Sequence, residues 1–150
     1  MIEISSEDLL PGVESNLAWR WTRASHLLLP EDEKKQIFSL SSSAALRAHA
    51  MASRLAKATA QDEKRLDVSS APSGRVSMWL ASLPVEQGAL VVASWSSEVG
   101  IRVPWDLLVE RWSVFCYPSS DDVDVFPLGC SWLLSYDHGD SFMWRTWRAS

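Results

Sequence analysis

The chain has little that would assign it a chemistry at sight. Its 150 residues include only two cysteines, Cys116 and Cys130, too few and too loosely spaced for a zinc site or a disulfide framework. The two could lie close in space, but in a reducing compartment buried free thiols are the expected state. No apolar run approaches the roughly 18–20 residues needed to cross a bilayer. The first residues, Met-Ile-Glu-Ile-Ser-Ser-Glu-Asp, are acidic where a secretory signal is basic and then apolar, so a cytoplasmic chain is expected. A glycine-rich phosphate loop, a G-x-S-x-G elbow and an H-E-x-x-H pair are all missing. The expectation is a protein that is not an enzyme and takes no metal or other cofactor.

Positive charge is scarce too. Lysine and arginine number 14 against 19 acids, a net charge of −5. Residues 1–33 carry seven acids and two bases, residues 34–80 three acids and eight bases, and residues 81–150 nine acids and four bases. A basic middle between acidic flanks disfavours nucleic acid as the main partner, because phosphate contact requires a net basic face. It suits a basic protein partner, although modest acidity also keeps proteins soluble.

What the chain does hold is ordinary globular material, 47% hydrophobic and 22% charged, in a length that suits one domain over residues 1–150. Its unusual feature is nine tryptophans. About six are expected to fill the core, leaving the rest as candidate interface anchors, a role in which tryptophan is enriched.

Leu17 to Leu29 mixes tryptophan, arginine and leucine without clean periodicity. After Pro30, the acids Glu31, Asp32 and Glu33 suit the first turn of a short helix reaching Ser39. Ser41, Ser42 or Ser43 can cap an alanine-rich helix to about Ala60. Its apolar face is read from Leu46, Ala50, Met51, Leu55 and Ala58, with Arg47, Arg54 and Lys57 on the other side. Residues 61–75 read as a polar connection with a turn at Ala71-Pro72-Ser73-Gly74.

The second half is clearer. Ala89 to Trp95 is an apolar run of the kind that forms a strand buried on both faces. Pro104 opens a helix to about Phe115, with Trp105, Leu108, Trp112 and Phe115 at three- and four-residue spacing facing the sheet. Tyr117-Pro118 ends it. Asp122 to Phe126 alternates, placing Val123 and Val125 on one face and Asp122 and Asp124 on the other. Trp132–Tyr136 and Phe142–Trp147 flank Asp137-His138-Gly139-Asp140, a tight turn in which the glycine is expected to supply a positive φ. The reading is α+β: N-terminal helices, then a β-α-β-β-β unit with a mostly antiparallel sheet.

Two polar clusters stand out. Ser119, Ser120, Asp121 and Asp122 could accept hydrogen bonds from a partner's arginine or lysine, or bind a cation. The same residues also make a standard turn that ends a helix and opens a strand. Asp137, His138 and Asp140 could form a base or a metal site, yet they sit in a hairpin turn, which is water-exposed and favours such residues for backbone reasons. Cys116 falls at a helix C-terminus, where the dipole disfavours a thiolate. His49 and His26 have no neighbour at metal-ligand spacing.

Phe115-Cys116-Tyr117-Pro118-Ser119-Ser120-Asp121-Asp122, followed by Trp132-Leu133-Leu134 and the turn Asp137-His138-Gly139, resembles small bacterial proteins with an aromatic-Tyr-Pro-Ser-Ser-Asp-Asp core. Leu28-Leu29-Pro30-Glu31 and Leu40-Ser41 resemble the N-terminal half of the same proteins. They are similar to immunity proteins of polymorphic toxin and contact-dependent inhibition systems. The resemblance implies a small acidic protein that binds and blocks a cognate toxin. Its expected contacts are Asp121, Asp122, Asp124, Asp137, His138 and Asp140, with one or two exposed tryptophans. A small enzyme or metal protein using Asp137 and His138, and a structural or regulatory subunit, remain as alternatives.

Overall fold

A computed structural model describes residues 1–23 and 28–147; His26 lies outside the described residues. The protein is mixed α+β, and its organising element is one antiparallel sheet of eight strands. In chain order the strands and helices are β1 (Leu9–Pro11), α1 (Trp19–Thr22), α2 (Glu31–Lys34), β2 (Phe38–Leu40), α3 (Ser42–Lys57), β3 (Asp62–Asp67), α4 (Ser73–Ala81), β4 (Leu90–Ser94), β5 (Gly100–Pro104), α5 (Trp105–Glu110), α6 (Trp112–Phe115), β6 (Val123–Pro127), β7 (Trp132–Asp137) and β8 (Ser141–Thr146). Across the sheet the order is β1-β2-β5-β4-β6-β7-β8-β3.

The antiparallel C-terminal meander is present, but the unit around it differs from the expected β-α-β-β-β. A second strand, β5, precedes the helix and pairs with β4 from Leu90↔Pro104 to Ser94↔Gly100. The expected helix to Ser39 stops at Lys34, and Phe38–Leu40 pairs instead with β1 and β5. The polar connection also carries structure: β3 closes the far edge of the sheet against β8, and α4 follows it. The helix after Pro104 breaks at Arg111, whose φ of −114° and ψ of 32° leave the helical region before α6 resumes.

Strand alternation sends side chains to two faces. One face packs under α4, α5, α6 and the N-terminal segment, with Trp21, Trp105, Trp112, Trp132, Trp144, Phe115 and Phe142 in its core. Trp105, Leu108, Trp112 and Phe115 are all buried there, on the expected helix face. The other face packs under α3 alone among the helices, with Leu40, Val92, Phe126 and Leu133 meeting Ala44, Ala45, Ala48 and Ala52.

That second contact corrects the reading of α3 in part. Its fully buried stripe is the alanines, each 0% exposed, and Met51 and Leu55 pack half-buried beside them as expected, whereas Leu46 is 58% exposed and Ala50 and Ala58 also face solvent. Large residues already project from the sheet here, so the helix that fits closely against it is one with methyl side chains. Ser41 caps this helix, its hydroxyl accepting the Ala44 N–H at 3.3 Å. Of the nine tryptophans five are buried, and Trp19, Trp79, Trp95 and Trp147 are half-buried, so none is fully exposed.

Candidate functional site

Two turns meet at one end of the sheet: residues 117–122 between α6 and β6, and residues 137–140 between β7 and β8. The first is pinned from inside. The Asp121 carboxylate turns back under its own turn and accepts the Tyr117 N–H at 2.8 Å and the Trp95 indole N–H at 3.3 Å. It also takes both ends of the Arg20 guanidinium, at 2.5 and 2.9 Å. Arg20 in turn lies 4.3 Å from the Tyr117 ring centroid and 5.3 Å from that of Trp19. Burial pushes the Asp121 carboxyl up, but Arg20, the Tyr117 N–H and Trp95 outweigh it and hold its pKa below the usual value.

Asp121 is therefore not the surface contact expected of it. At 7% exposure its oxygens are engaged inside the protein, and the pair joins the N-terminal helix α1 to the entrance of β6. No local pattern relates residue 20 to residue 121, so sequence reading had no means of finding the partner.

The second turn is built by side-chain acceptors. Asp137 Oδ1 accepts the Gly139 N–H at 2.8 Å. A Cβ on Gly139 would stand 2.9 Å from that same oxygen, so a larger residue here would displace the Asp137 carboxylate. The positive φ falls not on the glycine, as expected, but on Asp140 at 61°. Aspartate tolerates this left-handed conformation better than most residues.

Asp140 then reaches across to the first turn. Its carboxylate accepts the Ser119 N–H at 2.6 Å, the Ser119 hydroxyl at 3.2 Å and the Tyr136 hydroxyl at 2.8 Å. The Ser119 N–H and Tyr136 hydroxyl hold its pKa below the ordinary value despite opposing desolvation. A second clip lies beside it. Asp122 accepts the His138 N–H at 3.0 Å and sits 3.0 Å from His138 Nδ1. This contact lowers the Asp122 pKa and raises that of His138. Asp122, Asp137 and His138 are exposed, so this clipped pair of turns presents acids to solvent on a fixed frame.

His138 is held by Asp122, and Asp137 accepts from Gly139. Cys116 is fully buried, and burial drives its thiol pKa up, away from the thiolate. Both cysteines are free. Among the described residues no group of three or more His, Cys, Asp or Glu side chains could hold a metal ion.

Asp124, the sixth expected contact, stands apart from the turns. It lies half-buried on β6, on the α3 side of the sheet, directly opposite Ser94 on β4 and Ser135 on β7. The Ser135 hydroxyl donates to it at 2.7 Å.

No protein-family model matches the chain, and comparison with curated proteins and with solved structures likewise yields no match.

Proposed function

We propose that this is a binding protein that neutralises a cognate bacterial toxin by stoichiometric occlusion in the cytoplasm, with the clipped acidic turns meeting a basic toxin surface. The observation that carries this reading is the cross-linking of the two turns by Asp122–His138 and Ser119–Asp140. Turns held in place before binding lose less conformational entropy on association. Exposed carboxylates on a chain of net charge −5 speed encounter with a basic partner and select against acidic ones. The resemblance of the 115–122 stretch to toxin-immunity proteins supplies the partner class.

The test is a survival assay in which the protein is co-expressed with the product of the neighbouring gene. Rescue from a lethal neighbour supports the reading, and a lethal neighbour that the protein fails to rescue counts against it. Within a rescuing pair, Asp122→Lys with Asp137→Lys is expected to weaken the complex by about tenfold or more. An unchanged affinity removes the turns from the interface.

A further inference from the structure

Among the described residues, α3 does not cover its side of the sheet to the edge. α3 lies across β2, β5, β4, β6 and β7, and beyond it β8 and β3 continue the same face with Arg145 opposite Glu63 and Met143 opposite Arg65. All four are exposed or half-exposed. Asp124 sits where the covered part of this face gives way to the open strip, in one cross-strand row with Ser135, Met143 and Arg65.

Asp124 is a carboxylate drawn partly out of water without an ion-pair partner among the described residues. Among the described residues no lysine, arginine or histidine makes a salt bridge with it, while Asp121, Glu33 and Asp8 each have an arginine. Burial pushes its pKa up; the Ser135 hydrogen bond and the charges of Arg145 and His49 offset that only in part, and Asp122 adds to the rise. Its neighbour in the row, Ser94, is 3% exposed, and its hydroxyl is buried without a hydrogen-bond partner. The open strip nearby carries more acids than bases, Glu63, Asp67 and Asp137 against Arg65 and Arg145, and Arg145 is held to the Ala56 carbonyl at 2.8 Å.

We propose that a lysine or arginine side chain of the protein partner seats on Asp124, on the sheet face beside α3, guided there by the surrounding acids. This rests on the binding-protein reading above and extends its surface from the two turns onto the sheet. The fold has no need of the charge, because an amide at this position could accept the Ser135 hydroxyl equally well. A half-buried carboxylate with no cation in direct contact is unfavourable in the free chain, and an incoming cation removes that cost only in the complex.

An alternating Lys-Thr octapeptide serves as probe, followed by carboxyl-carbon NMR of the intact protein. The Asp124 resonance is expected to move on titration, and Asp124→Asn to lower peptide affinity by about tenfold. The melting temperature of Asp124→Asn should equal or exceed that of the parent, and the distant control Asp32→Asn should bind as the parent does. A stationary Asp124 resonance, equal affinity of Asp124→Asn and parent, or a clearly lower melting temperature overturns the proposal. In the co-expression assay, undiminished rescue by Asp124→Asn removes the seat and leaves the toxin reading standing. Peptide affinity that depends on Asp124, with no rescue by the parent chain, keeps the seat and removes the toxin reading.

Discussion

The two faces of the sheet are packed on opposite plans. Under α4, α5 and α6 the space is filled by rings: Trp132 lies 5.3 Å from Trp105 and 4.7 Å from Trp144, and Phe142 lies within 6.1 Å of Trp79, Trp112 and Tyr136. Under α3 the fully buried part of the helix is methyl groups at Ala44, Ala45, Ala48 and Ala52, with Met51 and Leu55 packing half-buried at the margin. Large side chains on helices of four to nine residues let short elements bury a substantial area. A long helix with a small-residue face reaches the sheet by close approach instead. Stability on one face thus depends on what fills the volume, and on the other on nothing being added to it.

The comparison breaks most severely at Phe142→Ala. That substitution empties the centre of the ring cluster and is expected to destabilise by about 3–5 kcal/mol, measured by urea unfolding. Asp121→Asn strands the buried Arg20 charge on the same face and should cost about 3 kcal/mol at neutral pH. Its pH dependence has a definite sign. The folded carboxyl titrates below its ordinary value, so its stabilisation is present above the unfolded pKa and lost as pH falls through the folded one. Parent and variant should therefore converge below about pH 4. On the other face the sensitive change is an addition. Ala48→Leu should cost about 1–3 kcal/mol by overpacking, whereas Leu46→Ala, two residues away and exposed, should change stability by less than about 0.5 kcal/mol.

These contrasts also explain what could be read in the sequence. Trp105, Leu108, Trp112 and Phe115 stood out because large apolar residues at helical spacing are the usual signature of a buried face. Ala44, Ala45, Ala48 and Ala52 gave no comparable signal, because alanine is equally at home on an exposed helix, and Leu46 drew attention in their place. β3 reads Asp-Glu-Lys-Arg-Leu-Asp and has no alternation, since at the sheet edge five of its six residues are exposed on either side. β1 and β2 have three residues each, too few for any period to show.

The acidic turns were visible as turns, while the roles inside them were not. Asp121 and Asp122 are adjacent and chemically identical, yet one is buried on Arg20 and the other is exposed on His138. Strand alternation separates them, but only the position of a distant arginine decides which is internal.

The position of β3 has a consequence for how the chain folds. It is made early, at residues 62–67, yet among the described residues its sole strand partner is β8 at residues 141–146. At least seventy residues must therefore follow β3 before it has a neighbour to pair with, whereas β2 has β1 beside it from the start. Such long-range pairing slows folding, because the chain entropy lost in closing large loops comes before the contacts that compensate for it. During that interval a bare strand risks joining the wrong neighbour. A strand with five charged residues in six is poorly suited to do so, so the composition that hid β3 from sequence reading also keeps it solitary until β8 arrives.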